Sequence, residues 1–343
     1  YPQGMLGFNK RASAGNVKEY KINYTPAGTN IGNVWVDASM NQVDGRMFGL
    51  RKAVHNVVKV AMQSAIVSND DLRSEINAFN LISAPGFPEL LDEMVALSGD
   101  RRNTAFVVGD TPFRLKADAT STKNWATNAN NASENGEEGL LTSSPYAAVY
   151  YPSALSTNLD GTNVVVPPSH VALRTLAFND QIAYPWFAPA GFQRGLVQNA
   201  TSVGYVNPTD GEYTPVTLNE GQRDNLYLNK VNPIASFPGR GLVVFCQKTL
   251  NPTASALDRI NVARLIVHIR ERLDDIVKPF LFEPNDDITR QNAKGVVDGF
   301  LSNLVIQRGL FDYVTVCDGS NNTPTRIDRN ELYIDIAIQP VKA

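Results

Sequence analysis

Apolar and polar positions divide the chain into short buried runs and longer amphipathic ones. The runs "TAFVVGD" (104–110), "YAAVYY" (146–151), "NVVVP" (163–167) and "GLVVFCQ" (241–247) read as strands, the last of the kind covered on both faces. "FPELLDEMVALSG" spaces Leu90, Leu91, Met94, Val95 and Leu97 as one helical stripe that stops at Gly99. The strongest helical pattern is "SALDRINVARLIVHIRERLDDIVKPF", where Leu265, Ile269, Leu273, Ile276 and Phe280 recur at three- and four-residue spacing. Ser255 with Asp258 fits a capping box there, and Arg270 and Asp274 are spaced to pair. A second helix is expected over 286–307, capped by Asn285 or Asp286. A strand "DYVTVCD", a turn and a strand "ELYIDIAIQP" follow, with Leu332, Ile334, Ile336 and Ile338 alternating against Tyr333, Asp335 and Gln339.

Elsewhere the pattern is weaker. Residues 1–70 begin with β-like runs such as "VKEYKINYT" and "NVWVDA", whereas "RMFGLRKAVHNVVKVAMQSAI" fits strand by its valines and helix by its length and spacing. The 114–144 stretch is rich in Asn, Ala, Ser and Thr and poor in large apolar groups, which predicts a solvated excursion. Pro167, Pro168 and Ser169 open a further helix, with the serine as its expected N-cap. No internal repeat is visible. The length of 343 residues allows two domains, or one with an insertion.

Charge narrows the partners. With 31 Lys+Arg against 34 Asp+Glu and no basic run, nucleic acid is not an expected partner. No apolar stretch is long enough for a membrane span, and "YPQGMLGFNK" lacks the order of a signal peptide, so an intracellular setting is expected. The first residue is Tyr1, which suggests a processed or excised chain. Cys246 and Cys317 lie in apolar runs outside any CxxC and are expected to be buried free thiols. The four N-x-S/T matches are read as chance.

The candidate chemistry fails on spacing. Ser169, His170 and Asp180 supply the residue types of a hydrolase, but there is no G-x-S-x-G elbow, and neighbours on a helix point about 100° apart. His55, His170 and His268 have no metal-ligand spacing, and His268 is expected on a polar helix face between Arg264 and Arg272. The pairs Asp70–Asp71, Asp274–Asp275 and Asp286–Asp287 suit capping or helix surfaces better than catalysis. "FPGRGLVV" places its glycines before a strand, the wrong order for a dinucleotide loop. No catalytic, cofactor-binding or metal-binding residue is assigned. "AYPWFAPAGFQRG" (183–195) is read as a rigid connector: Trp186 and Phe187 pack, while Pro185, Pro189 and Gly191 shape its path. Arg194 is left without an assigned partner.

Seven stretches in series carry a resemblance: "ISAPGFPELLDEMVAL", "VVVPPSHVAL", "AYPWFAPAGFQRG", "VNPIASFPGRGLVVFCQKTL", "LDRINVARLIVHIRERL", "KPFLFEPND" and "VCDGSNNTPTRIDRNELYIDIAIQP". In this order the chain resembles the tail sheath proteins of contractile-tail bacteriophages. The resemblance implies an α/β (mixed α+β) sheath core over 71–343, with 1–70 part of a variable β-rich outer domain. It also implies a virion subunit, assembled in the host cytoplasm, that polymerises helically around a tail tube and meets baseplate and terminator proteins. Contraction would then be a rigid-body rearrangement that drives the tube through the host envelope. Family members carry terminal arms that add strands to neighbours, and these arms are expected to be missing from this chain. The candidate interface is Leu332, Ile334, Ile336 and Ile338, as a sheet edge open to an arm, with Arg290 and Lys294 facing the tube. The competing readings are a hydrolase-like enzyme using 169–195 and a non-contractile adhesion module presenting the Asn-rich loop.

Overall fold

A computed structural model describes residues 46–208 and 211–342. In chain order the elements are α1 (Arg46–Ser68), β1 (Leu81–Ile82), α2 (Leu91–Asp100), β2 (Phe106–Asp110), α3 (Ala119–Ala126), β3 (Ala147–Tyr151), β4 (Ser153–Thr157) and β5 (Asn163–Val166). Then come α4 (Pro168–Ile182), α5 (Gly191–Arg194), β6 (Ser202–Val206), β7 (Tyr213–Pro215), α6 (Glu220–Leu228), β8 (Val231–Phe237) and β9 (Gly241–Val244). The remaining elements are α7 (Ile260–Val277), α8 (Asp287–Ile306), β10 (Leu310–Val316), α9 (Pro324–Asp328) and β11 (Asp335–Pro340).

Two of the continuous apolar runs become the inner strands β2 and β3, whereas "GLVVFCQ" becomes the edge strand β9, with Gly241 and Phe245 exposed, and "NVVVP" the half-exposed edge strand β5. The main sheet has the order β1-β2-β3-β8-β9, parallel from β1 to β8 and antiparallel at β9. Strands β2 and β3 are buried at every position, because alternate side chains enter two different cores. Phe106, Val108, Ala148 and Tyr150 face one core, closed by Val171 and Leu176 of α4 and by Ile260, Ala263 and Val267 of α7. Val107, Ala147, Val149 and Tyr151 face the other, closed by Leu91 and Met94 of α2, Trp125 of α3 and Leu226 of α6. The result is a mixed sheet with helices on both faces. A second, antiparallel sheet runs β5-β4-β6-β7, and β10 and β11 form a third.

Several expectations change on folding. The ambiguous stretch is helix α1, whose Met62 and Ile66 pack on the α2 side of the core, while His55 stacks on Phe87 and bonds Glu89 at 3.0 Å. The described part of 1–70 is therefore helical; the β-like runs before residue 46 lie outside the described residues. The Asn-rich excursion is partly buried. Trp125 is 3 % exposed and donates to the Gly136 carbonyl at 2.7 Å, and buried Asn135 bonds Asp92 and Thr142. One aromatic anchor and satisfied amide groups substitute here for an apolar composition.

Ser255 caps only a short 3-10 turn over Ala256–Asp258, and α7 starts afterwards at Ile260 without a side-chain cap. Asp274 bonds Arg102 at 2.8 Å instead of Arg270, whose guanidinium lies over Tyr146. Both cysteines are buried free thiols as expected, and burial pushes the Cys246 thiol up to about 11.

Ser169 is not the N-cap of α4. That position is Pro167, and Ser169, one residue inside the helix, gives its backbone N–H and hydroxyl to Asp110 at 2.6 and 2.8 Å. The same carboxylate accepts the Gly86 N–H at 2.7 Å. Asp110, at the C-terminal end of β2, thus braces the start of α4 and the loop before α2.

Burial pushes the Asp110 carboxyl up from 3.8 to about 6, against the opposing pull of those hydrogen bonds. The folded pKa is raised, so its contribution to stability is full below about pH 4 and is lost as pH rises through about 6, on the order of 3 kcal/mol in all. Urea melts of the parent and Asp110→Asn, which stays neutral, should therefore show a stability difference that shifts by about that amount between pH 4 and 7. A difference independent of pH would contradict the assignment.

Candidate subunit interface

The C-terminal unit is built on α7. Leu265 and Ile269, with half-buried Leu273 and Ile276, meet Val297, Leu301 and Leu304 of α8 and Leu310 of β10. Four of the five residues of the predicted stripe pack here; Phe280 lies in the turn after the helix, and a second line, Ile260, Ala263 and Val267, packs on the main sheet. Trp186 plugs the same cluster and donates to the Gln307 carbonyl at 3.1 Å. Tyr184 stacks on it at 4.8 Å, and His268 lies against it at 5.3 Å. His268 is thus half-buried among aromatic rings rather than on a polar face, and burial, with Arg272 adding to it, lowers its pKa. Arg194 finds its partners within its own segment: it bonds the Ala188 carbonyl at 3.0 Å and lies over the Phe187 ring. Gly191, at a φ of 79°, makes the turn that permits this.

Strand β11 pairs with β10 and, among the described residues, with no other strand, so its outer edge is open. Ile334, Ile336 and Ile338 pack half-buried on the α7–α8 cluster, while Asp335, Ala337 and Gln339 face outward. The strand begins at Asp335, later than the sequence pattern suggests. Asn322 takes the Tyr333 N–H at 2.7 Å and gives an amide hydrogen to its carbonyl, so these backbone groups leave the ladder. Leu332 is half-buried in the loop before it. Arg326 clamps this loop by bonding the Asn321 carbonyl and lying 3.9 Å from the centre of the Tyr333 ring.

The two cations proposed for α8 differ. Asp286 caps the helix by accepting the Thr289 N–H at 2.8 Å, as the "PNDD" motif predicts. Arg290 is 8 % exposed and turned back onto that N-terminus, where it bonds Asp287 and both oxygens of Asn285. It is a brace of the loop, not an outward-facing charge. Lys294, one turn on, is half-buried. Hydrogen bonds from Ser320 hold the Asp318 carboxyl below its usual range, with Lys294 and Arg290 contributing.

The structure also separates the residues of the hydrolase reading. Ser169 is bound to Asp110, His170 is exposed, and Asp180 forms a two-pronged pair with Arg264 at 2.6 and 3.0 Å. That pair was not visible in the sequence, where Arg264 reads as a surface residue; its only signal was an arginine within an apolar helical run. Among the described residues, no group of three or more His, Cys, Asp or Glu is placed to hold a metal, and no helix is long and apolar enough to cross a membrane.

Residues 253–343, which hold α7, α8 and the β10–β11 sheet, match the phage tail sheath C-terminal domain. The tail sheath protein of Vibrio phage KVP40 is 38% identical over 167 residues, 49% of this chain and 23% of that protein. That of Enterobacteria phage T4 is 29% identical over 252 residues, 71% of this chain and 36% of that protein. The chain therefore spans about a quarter to a third of the curated relatives it matches. Among solved structures, the sheath complex of an extracellular contractile injection system in its contracted state superposes with a TM-score of 0.63 at 21% identity, over 81% of this chain and 72% of that one. The anti-feeding prophage helical sheath in its contracted state gives 0.61 at 20%, over 81% and 71%. The α/β architecture is thus the fold of contractile-sheath subunits. In sequence, the chain is similar to phage tail sheath proteins over part of their length.

Removing one member of a buried charge pair strands the other. Asp180→Asn leaves the Arg264 guanidinium, 3 % exposed, unpaired and should cost about 3 kcal/mol in urea unfolding, the lower end of the range because Asp180 is itself partly exposed. On α8, Arg290→Gln should cost about 2 kcal/mol and Lys294→Gln less than about 0.5. Equal effects at 290 and 294 would contradict the assignment of Arg290 as a brace.

Proposed function

We propose that the chain is the core of a structural subunit of a contractile phage tail sheath. The subunit polymerises helically around a tail tube, in a virion assembled in the host cytoplasm, and it meets baseplate and terminator proteins at the ends. The observation that carries this reading is the match of 253–343 to the sheath C-terminal domain, together with the open β11 edge that this region presents. The chain is a non-enzymatic lattice element: identical subunits joined head to tail by contacts that do not close form a tube. Residues 71–343 are its core, on which α1 packs through Met62 and Ile66.

The edge of β11 gives the lattice its links. An extended arm of a neighbour, laid along Asp335–Pro340, adds main-chain hydrogen bonds without disturbing the side chains beneath. Such links survive while rigid subunits turn and move outward, and the two lattice states then differ in the remaining contacts. Contraction follows when the second set of contacts is the lower in free energy, and it drives the tube through the host envelope. Lys294 is the remaining candidate for a contact with the tube.

Electron microscopy of the full-length protein, with and without tubes, tests the reading. Regular helical sheaths are expected, and dispersed particles under both conditions would sink it. Hydrogen exchange tests the edge: amides of 335–339 that exchange freely in the monomer should slow by at least about tenfold in the polymer. Unchanged exchange there would place the link elsewhere.

A further inference from the structure

Two exposed surfaces that the fold leaves unpartnered complement each other. The first lies where the main sheet ends at β9. Phe192 of α5, Phe237 of β8 and Phe245 form a cluster with ring centres 4.7 to 5.8 Å apart. Even so, Phe192 is 47% exposed and Phe245 40% exposed. Two guanidiniums flank the rings: Arg223 lies 5.0 Å from the centre of Phe237, and Arg240 lies 5.7 Å from that of Phe192. Arg223 bonds the Leu218 carbonyl at 2.9 Å, and among the described residues neither arginine has an ion-pair partner. The patch is apolar and cationic, a combination that suits an aromatic or aliphatic anchor carrying a carboxylate.

The second surface follows α7. Leu281 is 64% exposed, Phe282 fully exposed and Ile288 70% exposed. Phe282 has a φ of 69°, a left-handed conformation that L residues with bulky side chains rarely adopt, and it holds this ring in solvent. Glu283 stands next to it, exposed, with no ion pair among the described residues, and Asp286 and Asp287 follow. This segment is apolar and anionic.

One chain cannot bring the two together. α7 starts beside the first surface, where the Ile260 N–H donates to the Gln247 carbonyl at 2.9 Å, two residues after Phe245. It then runs 18 residues, about 27 Å at the rise of an α-helix, before the second surface begins.

We propose that the segment around Phe282 docks on the arginine-flanked phenylalanine patch of a second copy of this chain, with Glu283 against Arg223 or Arg240. The inference rests on the sheath reading above and names one of its contacts between subunits. The two surfaces differ, so the contact is heterologous and extends into an open polymer rather than a closed dimer. The length of α7 separates its two halves within each subunit.

The test uses full-length protein with the photoreactive analogue p-benzoylphenylalanine at position 282. In isolated polymers, the crosslinked peptide is expected to be 237–245, or one holding Phe192 or Arg223, from another copy. A crosslink in normal polymers to other segments, or to a tube protein, would overturn the docking pair while leaving the sheath reading intact. Failure of the unsubstituted protein to polymerise would overturn both. In a second arm, Arg223→Glu with Arg240→Glu should cut polymer yield about tenfold, and adding Glu283→Arg should restore at least half of it. Melting of the monomers confirms that each variant folds, and a folded double variant that polymerises normally would contradict the pairing.

Discussion

The structure depends on a helix buried along two lines. Ile260, Ala263 and Val267 of α7 close one face of the main sheet, while Leu265 and Ile269 carry α8, β10 and β11. A helix with one apolar stripe would leave one of these units unsupported. Two polar side chains on the same helix strengthen the joint. Arg264 grips Asp180 at the end of α4, and Asn261 reaches both the Trp186 and the Val341 carbonyls. The connector around Trp186, the sheet and the C-terminal unit are therefore tied to a single rod.

That joint gives the proposed function its mechanical basis. A lattice that changes by moving whole subunits needs subunits that transmit force without bending, and close-packed cores joined by a shared helix do so. The open edge of β11 sits on this rigid base, held by isoleucines beneath and by the Asn321–Asn322–Arg326 clamp at its start. The brace at Asp110 acts likewise at the C-terminal end of β2, where one carboxylate fixes the entry of α4 and the loop before α2.

Much of this was legible in sequence because it is periodic. The runs at 106–110, 147–151 and 241–244 became three of the five strands of the main sheet, β1 and β8 being the two not read as strands, and the stripe from Leu265 to Ile276 became the wall of the α7–α8 cluster. The Asp286 cap was readable because capping is local. What escaped detection depended on distant partners. Ser169 looked like a cap because its own segment gave no hint of Asp110, 59 residues earlier. Arg290 and His268 looked like surface groups because helical spacing does not reveal which neighbour folds over them. The Asn-rich stretch was misjudged for a related reason: composition measures apolar content, whereas Trp125 and Asn135 order that segment through single well-placed bonds. For the interface, the alternation of Ile334, Ile336 and Ile338 announced a half-buried strand, and only the fold shows that its far edge is open.

The central claim is that this chain moves as one rigid body within a helical lattice. Cryo-electron microscopy of polymers of the full-length protein in extended and contracted states tests it most directly. The account predicts that the main sheet, α7 and the C-terminal unit superpose between the two states within about 1 to 2 Å while the subunit as a whole rotates and shifts. Rotation of α8 and β10–β11 against the main sheet, with a break or bend in α7, would contradict it.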